Sequence, residues 1–341
     1  MSTGESMPKS MSVSVLDGPG KLRLEDRPVP VPGPGEVLVR IVAVGVCGSD
    51  THYYREGRIG SFVVESPLVL GHEASGRIEA VGDGVDPARV GQRVSLEPGI
   101  PQPYSQQTLS GHYNLDPDVR FFATPPVDGT FAEYVVHPAA FSHPVPEHVS
   151  DDAAALLEPL SVALAARAAG QVQLGDKVLV AGAGPIGLLV SAVCTLAGAD
   201  VTVTDVRAER LDAAARYGAA HTFTSADAPE PAPEYQVFVD ATGAEPAVLS
   251  GIQRLAPRGR CVLVGMGADT IALPVPLVQG RELTITGTFR YANTWPLAVD
   301  IASRGLVDLD GLVTSRHGLD DVEAALVAGA REGALKAVVT P

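Results

Sequence analysis

The first half of the chain shows the alternation of apolar and polar positions that is typical of β-strands. Residues 37–44 (VLVRIVAV) follow a cluster of prolines and glycines and are rich in branched side chains, as expected of a strand that begins after a turn. Further short strands are predicted at residues 77–81, 93–96 and 131–136. In residues 97–128 no period persists, and proline, glutamine, serine and aspartate are frequent. We predict an elaborated surface lobe there.

The second half changes to strands that alternate with helices. An alanine- and leucine-rich run at residues 151–169 predicts a helix. After it, the apolar runs predict strands 178–181, 201–204, 237–240, 260–264 and 283–288, with helices 186–197, 208–217 and 247–255 between them. Strands separated by such helices indicate a parallel, doubly wound sheet. A helix at 294–304 and a strand at 337–339 follow, and we expect this last part to pack on the β-rich half.

Length and composition narrow the class of protein. A chain of 341 residues is too long for one ordinary core, so we expect two domains. The formal charge of −15 would repel a nucleic-acid backbone, and we predict no nucleic-acid partner. Between Lys177 and Asp200, 22 uncharged residues could span a bilayer, but glycines and a proline interrupt them. They predict a buried strand–turn–helix unit and no membrane partner. Three scattered cysteines favour a reducing, cytoplasmic location.

A glycine-rich turn between a predicted strand and helix indicates a dinucleotide site. Residues 182–187 (GAGPIG) fit G-x-G-x-x-G, in which the glycines permit a tight turn, approach of the backbone to a pyrophosphate, and close packing. The helix N-terminus would offer free N–H groups to the phosphates. Asp205 ends the next strand, where a carboxylate binds an adenosine ribose and repels a 2′-phosphate.

This pattern predicts NAD as the cofactor. The predicted contacts are Gly182, Gly184, Pro185, Ile186, Gly187, Asp205 and Arg210. The alternative is a glycine turn that binds no phosphate. Arg207 and Arg210 could also weaken the preference for NAD over NADP.

A thiol, an imidazole and two carboxylates point to a metal. Cys47 follows the first predicted strand, and His72 and Glu73 precede the next one, so adjacent strand ends can bring them together. Glu73 and Glu158 are acids in apolar surroundings, where an unpaired carboxylate is costly. With three cysteines in the chain, a four-cysteine structural zinc site is impossible, and three ligands with an open position would suit catalysis. Taken singly, Cys47 could equally be a buried hydrophobe and His72 a core histidine.

The chain resembles a known family at these positions. The run Gly71-His72-Glu73-x-x-Gly76-x5-Gly82-x-x-Val85 is similar to the signature of the zinc-containing medium-chain dehydrogenases. Four further stretches resemble their sorbitol (polyol) dehydrogenase branch: 47–53 (CGSDTHY), 122–129 (FATPPVDG), 158–162 (EPLSV) and 289–296 (FRYANTWP). The resemblance covers nearly the whole chain. It implies a GroES-like catalytic domain at 1–160, to which 292–341 return, interrupted by a Rossmann NAD-binding domain at 161–291.

The resemblance also implies a metal centre. Cys47, His72 and Glu73 would bind one catalytic zinc per subunit, and Glu158 would be a fourth ligand or hold the water at the metal. Many relatives bind a second, structural zinc through four cysteines of the lobe. This sequence has no cysteine in residues 97–128, so no structural zinc is expected.

The remaining implied roles concern proton transfer and substrate. Ser49 would hydrogen-bond the reacting hydroxyl and His52 would carry its proton away; the alternatives are an ordinary turn hydroxyl and a surface histidine. A polyol pocket would be lined by Tyr53, Phe121, Thr124, Arg290 and Tyr291. Their hydroxyls and guanidinium suit a substrate with several OH groups, although each side chain could instead have a packing role.

These expectations combine into one predicted activity. The chain would oxidise sorbitol, xylitol or a close relative at a secondary hydroxyl to the ketose, with hydride transfer to NAD, and the family implies a homotetramer. Other secondary alcohols (L-threonine, a butanediol, a sugar acid) are alternatives, as is a non-catalytic relative that would be expected to have lost metal ligands. Cys194 and Cys261 are predicted core residues. Four histidines are predicted at the surface or in turns: His112, His137, His143 and His148.

Overall fold

The computed structural model describes residues 7–232, 234–267 and 269–341. The chain divides into two compact units. The first contains the chain up to Glu158 together with Ala302–Arg304 and Leu309–Pro341, and the second contains Pro159–Ile301 and Gly305–Asp308. Residues 292–301 belong to the second unit, whereas the resemblance implies that they return to the first domain. The predicted boundaries of the functional domains stay a prediction.

The described residues form short strands and helices throughout. The strands are β1 Ser10–Gly18, β2 Lys21–Pro28, β3 Glu36–Gly45, β4 Arg58–Ile59, β5 Phe62–Val63, β6 Leu68–Val69, β7 Glu73–Val81, β8 Arg93–Leu96, β9 Gly99–Ile100, β10 Arg120–Phe121, β11 Tyr134–Pro138, β12 Ser142–Pro144, β13 Lys177–Ala181, β14 Asp200–Asp205, β15 His221–Thr224, β16 Tyr235–Asp240, β17 Leu255–Leu263, β18 Thr284–Gly287, β19 Val313–Gly318 and β20 Lys336–Thr340. The helices are α1 Gly48–Glu56, α2 Gln106–Leu109, α3 Asp151–Ala155, α4 Leu157–Ala169, α5 Pro185–Leu196, α6 Ala208–Leu211, α7 Glu245–Gln253, α8 Val275–Gly280, α9 Trp295–Ser303 and α10 Val322–Ala328. Single 3₁₀ turns include Tyr113–Leu115 and Ala214–Tyr217.

The main sheet of the first unit brings distant parts of the chain to one strand end. Its strand order is β12-β8-β7-β3-β20-β19, and β11 also pairs with β3. Strand β3 is antiparallel to β7 and to β20, and its last residue, Gly45, pairs with Glu73 of β7 and with Val338 of β20. Val37, Val39, Ile41 and Val44 of β3 enter the main core of this unit, although burial along the strand is nearly continuous and does not follow the predicted alternation. The ends of three strands therefore meet where the candidate ligands lie.

The second unit is a parallel, doubly wound sheet, as predicted. Its strand order is β15-β14-β13-β16-β17-β18, and every neighbouring pair is parallel. Starting from β13, this is the order 3-2-1-4-5-6 of dinucleotide-binding folds. The 22 uncharged residues that could have been mistaken for a membrane span form β13, the glycine turn and α5. Among the described residues, no helix is long and apolar enough to cross a membrane.

Several predicted elements have different boundaries, and three of them show a physical reason. Strand β7 begins at Glu73, although residue 77 was the predicted start, because the small residues 74–76 pair with β3 and β8 despite weak strand propensity. The strand predicted at 131–136 is β11, because Phe131 hydrogen-bonds instead to the backbone of Leu70 and Ser14. The helix predicted at 208–217 ends at Leu211 and resumes as a 3₁₀ turn, whose spacing buries both Ala214 and Tyr217.

Cys194 and Cys261 are buried, as predicted, and burial raises the pKa of each thiol to about 12.

The prediction for His137 was wrong. Strand β11 alternates between half-buried and buried positions, and His137 is on its buried face. Its Nε2 atom lies 2.9 Å from the carbonyl oxygen of Glu97, whereas its buried Nδ1 has no hydrogen-bond partner among the described residues. Burial lowers the pKa of His137 to about 4.

The surface lobe is tied to this sheet through the side chain of Glu97. The hydroxyl of Tyr113 donates to Glu97 Oε1 at 2.6 Å, and His143 Nε2 lies 2.7 Å from Glu97 Oε2. Glu97 is buried, and it directly follows β8 at the point where the chain enters the lobe. A carboxylate with two side-chain partners thus anchors a stretch that has little regular structure.

His137 predicts a defined acid sensitivity. The pKa of this group is near 4 in the folded chain and about 6.5 when unfolded. Because the folded pKa is the lower one, its neutral form contributes stability above pH 6.5 that is lost as the pH falls towards 4. By pH 5 this loss is about 2 kcal/mol. In His137→Gln, the free energy of unfolding should fall less between pH 7.5 and 5, measured by urea titration. Exposed His148→Gln is the control, and an equal acid loss in wild type and His137→Gln would refute the assignment.

Candidate functional site

Three candidate metal ligands converge in the first unit. Cys47 follows β3 and precedes α1, His72 lies directly before β7, and Glu73 begins it. Their ligand atoms, one sulfur, one ring nitrogen and one carboxylate oxygen, all lie within 4.8 Å of one another. In the part of the chain that the structure describes, no other group of three such residues comes together in this way. His72 and Glu73 are buried and Cys47 is half-buried, so the donors face a protected space.

A buried aspartate joins the two loops that carry these ligands. Asp50 is the third residue of α1, and its Oδ2 accepts the backbone N–H of Cys47 at 3.0 Å. Its Oδ1 accepts the backbone N–H of Gly71 at 2.9 Å and lies 3.6 Å from His72 Nδ1. Asp50 therefore orients the His72 ring, and Nε2 is the nitrogen expected to bind a metal.

The pKa values of this pair shift in opposite directions. Burial alone would raise the pKa of Asp50, but His72 and the backbone donors lower it below its ordinary value. Burial alone would lower the pKa of His72, but Asp50 and Cys47 raise it well above its ordinary value. Sequence reasoning assigned no role to Asp50. The feature of the sequence that could have indicated this role is an acid three residues after Cys47. At that position a carboxylate can accept the backbone N–H of the residue that caps the helix.

A buried lysine binds the third candidate ligand. Lys336, the first residue of β20, donates from Nζ to both carboxylate oxygens of Glu73, at 2.7 and 2.8 Å, and to the carbonyl oxygen of Val46 at 3.0 Å. Burial would lower the pKa of Lys336, but the charges of Glu73, Cys47 and Glu158 raise it. Sequence reasoning missed this residue. Its only local signal is a lone lysine at the start of an apolar strand.

The other residues predicted at the metal centre are not among the three converging ligands. Glu158 is buried in the first turn of α4, and its charge acts on Lys336, but it is not within the group of three ligands. Ser49 is half-buried in α1. His52 is exposed on the same helix, with Nδ1 at 3.6 Å from Glu56 Oε2.

The predicted substrate residues are divided between the two units. In the first unit, the ring of Phe121 lies 5.7 Å from that of His72, Tyr53 is buried in α1, and the backbone N–H of Thr124 donates to Phe121. Phe121 is thus an apolar neighbour of the metal ligands.

Two further predicted substrate residues belong to the second unit. The guanidinium of Arg290 lies 4.7 Å from the centre of the Phe289 ring, and Arg290 has a φ of +57°. The buried ring of Tyr291 lies 5.4 Å from that of Trp295. A positive φ at a residue other than glycine indicates a constrained backbone, which fixes the direction in which this segment presents Arg290.

The donor set fits a catalytic zinc. Zinc is bound in catalytic sites by thiolate, imidazole and carboxylate ligands, with three from the protein and one position open. Cys47, His72 and Glu73 supply one donor of each kind within a short distance, and a second carboxylate orients the histidine. The residues present are therefore sufficient to hold the ion.

The glycine turn of the second unit has the geometry of a phosphate-binding loop. Gly182 has a φ of +100°, and Gly184 caps α5. A Cβ at Gly187 would collide with the carbonyl oxygen of Gly182, so helix and strand approach closely. At Gly184, in contrast, a Cβ would meet no protein atom within 4 Å. The structure leaves space at this position for a ligand.

Asp205 closes one side of this loop. Its Oδ2 accepts the backbone N–H of Ala183 at 2.7 Å, and its Oδ1 accepts that of Arg207 at 2.9 Å. The Nε atom of Arg210 is buried and, within the described residues, has no hydrogen-bond partner. Asp205 ends β14, and Arg210 lies in α6, the helix that follows this strand. Pro185 and Ile186 form the first turn of α5.

Comparison with known proteins places the chain in a family. Residues 33–147 match the family described as "Alcohol dehydrogenase GroES-like domain", and residues 185–304 match "Zinc-binding dehydrogenase". The sorbitol dehydrogenase of Macaca fascicularis is 44% identical over 324 residues, which cover 92% of this chain and 90% of that protein. The human sorbitol dehydrogenase is 43% identical with the same coverage.

Solved structures show the same architecture. A short chain alcohol dehydrogenase (rspB) from E. coli CFT073, complexed with NADH, has a TM-score of 0.91 and 30% identity, and covers 98% of this chain and 100% of that one. The L-idonate 5-dehydrogenase of E. coli K-12 has a TM-score of 0.92 and 26% identity, with coverage of 97% and 98%. The predicted fold class, a GroES-like unit with a Rossmann-type unit, is confirmed.

Substitutions at two glycines of the loop should distinguish an effect on folding from an effect on cofactor binding. In Gly184→Ala the new methyl group meets no protein atom and the φ of −76° suits alanine, so the melting temperature should stay near that of wild type. The affinity for NADH should nevertheless fall by at least about tenfold, because the methyl group would hinder close approach of the pyrophosphate. Gly187→Ala should instead lower the melting temperature. NADH fluorescence titration and thermal unfolding test both variants, and wild-type affinity in Gly184→Ala would contradict the phosphate-loop interpretation.

Proposed function

We propose that this chain, which belongs to the zinc-containing medium-chain dehydrogenases and within them to the sorbitol dehydrogenase branch, is an NAD-dependent polyol dehydrogenase. It would oxidise a secondary hydroxyl of sorbitol, xylitol or a close relative to the ketose. The observation that carries the proposal is the convergence of Cys47, His72 and Glu73 in a chain that matches sorbitol dehydrogenases over nine-tenths of its length. A non-catalytic relative would have no need of all three ligands.

The chain's own residues would prepare the reaction as follows. When bound by Cys47, His72 and Glu73, zinc supplies a Lewis acid that lowers the pKa of an alcohol, and NAD supplies the hydride acceptor. Asp50 keeps the His72 ring in one orientation from 3.6 Å away. The ring of Phe121 beside His72 provides an apolar wall that limits the access of water.

Helix α1 offers a path for the proton. Ser49 and His52 are three residues apart, so they share one face of the helix. Ser49 lies next to the ligand loop and would hydrogen-bond the substrate hydroxyl. His52 is exposed and has Glu56 close by, so it can exchange a proton with solvent. We assign Ser49 to hold the proton first and His52 to release it.

The polar groups of the predicted substrate residues favour a polyol substrate. Tyr53, Thr124, Arg290 and Tyr291 carry hydrogen-bonding groups, and a site built to bind several hydroxyls rejects analogues that lack one of them. A second candidate substrate is a sugar acid, because Arg290 is a suitable partner for a carboxylate and the L-idonate 5-dehydrogenase has a closely similar fold. A panel of polyols, butanediol, L-threonine and sugar acids, compared by kcat/KM, distinguishes them.

Three finer points stay predictions. We expect one zinc per subunit with no structural zinc, a homotetramer, and a cytoplasmic location. Metal analysis of the purified protein and light scattering test the first two.

Activity should depend on zinc in a reversible manner. NADH formation from D-sorbitol and NAD⁺ should stop after chelation and return when zinc is added, because the ion is the Lewis acid. Cys47→Ser should lower both the zinc content and the rate, by at least about a hundredfold for the rate. Cys194→Ser is the matched control, since that thiol is in the core of the second unit. A zinc-loaded protein that oxidises none of the alcohols would overturn the proposal.

The preference for NAD should depend on the charge of Asp205. In Asp205→Asn the repulsion of a 2′-phosphate is removed while an acceptor for Ala183 is kept. The ratio of kcat/KM for NAD⁺ to that for NADP⁺ should fall by at least about tenfold. Asp200→Asn, an exposed position at the other end of β14, is the control. An unchanged ratio in Asp205→Asn would exclude this carboxylate as the discriminator.

A further inference from the structure

Lys336 binds the same carboxylate oxygens that a metal at this centre would use. Its Nζ lies 2.7 Å from Glu73 Oε1 and 2.8 Å from Oε2, so both oxygens are engaged by one cation. One of these two oxygens is also the Glu73 atom that lies within 4.8 Å of the Cys47 sulfur and of a His72 ring nitrogen. A metal ion that binds this carboxylate therefore shares its single negative charge with the lysine ammonium, and each cation weakens the attraction of the other to Glu73.

The carboxylate has little room to satisfy both partners by moving. The space over the Cα atom of Gly45 is occupied by the Glu73 carboxylate and by Leu156, since a Cβ built there would meet both. Glu73 and Lys336 are almost fully buried, with 1% and 4% of their side chains exposed. Water cannot readily replace either partner, so the choice between lysine and metal is made within the protein.

Strand β20 is held by backbone contacts that do not involve the Lys336 side chain. Backbone pairing with β19 and β3 already holds β20, and Val46 donates its N–H to the carbonyl oxygen of Ala337. A buried lysine is costly unless it is paired. The side chain that offsets this cost is Glu73, which is also a candidate metal ligand.

On the basis of the proposed zinc site, we propose that Lys336 is a positioning residue that competes with the metal for Glu73. In the metal-free protein it neutralises Glu73 and keeps the carboxylate in place. In the loaded protein it weakens the bond from Glu73 to the ion, so that Glu73 is a releasable third ligand, whereas Cys47 and His72 are the constant ones.

The rate of zinc release tests this competition directly. Wild type, Lys336→Met and Lys336→Gln are purified with zinc, and zinc release to a chromophoric chelator is followed in time. Lys336→Met should release zinc at least about tenfold more slowly, because Glu73 is free to bind the ion fully. Lys336→Gln keeps a hydrogen-bond donor without the charge and should be intermediate. Lys177→Met, an exposed lysine 3.8 Å from Glu234, should release zinc like wild type.

A double-mutant cycle separates competition from the general repulsion between two cations. If Lys336 acts through Glu73, then Lys336→Met should slow release strongly in the wild-type background and little in the Glu73→Gln background. Equal slowing in both backgrounds, or none in either, would overturn the proposal. Zinc release is measured from the loaded protein, so the test does not require the metal-free Lys336→Met variant to fold.

Failure of the underlying zinc site gives a different result. If wild type binds no zinc, or if Cys47→Ser binds it as tightly as wild type, the proposed function fails and the competition with it. If Cys47→Ser loses zinc while Lys336→Met releases it at the wild-type rate, the zinc site stands and only the role of Lys336 is refuted. The gap in melting temperature between loaded and metal-free protein should also widen in Lys336→Met, since metal-free Glu73 then has no buried partner.

Discussion

The pairing of Gly45 with Glu73 at the end of strands β3 and β7 is the constraint on which the candidate centre depends. It sets the start of β7 beside the loop that carries Cys47, and Asp50 then fixes the two loops to each other through Cys47 and Gly71. A glycine is required at position 45 because the carboxylate of Glu73 occupies the space of a side chain. The ligands are therefore positioned by a regular sheet, which is a more rigid support than a free loop.

In the second unit, too, glycines at defined positions and one carboxylate form the candidate site. There, a glycine at position 182 turns the chain, a glycine at 187 lets α5 approach the strand, and the space at Gly184 is left open. Asp205 contributes twice, because it holds the backbone of the loop and presents a negative charge at the edge of it. In both units the functional groups lie at strand ends, where backbone hydrogen bonds of the sheet stop and side chains replace them.

Much of this could be read from the sequence, because its signals are local. The G-x-G-x-x-G turn, Asp205 and the Gly71-His72-Glu73 run are short patterns whose chemistry depends on near neighbours. Lys336 could not be found in this way, since its partner Glu73 is 263 positions away. His137 was misjudged for a related reason: a single histidine carries no sign of the face of β11 on which it lies. The early start of β7 was missed because pairing with two neighbours overrides the weak propensity of small residues.

The burial of two of the three cysteines has a practical consequence for the third. Cys194 and Cys261 are enclosed, with thiol pKa values near 12, so they are inert towards alkylating reagents and mild oxidants. Cys47 is half-exposed and is the remaining sulfhydryl in the chain. In the native protein, the number of sulfhydryls that react per subunit therefore measures the fraction of centres in which the Cys47 sulfur is unprotected.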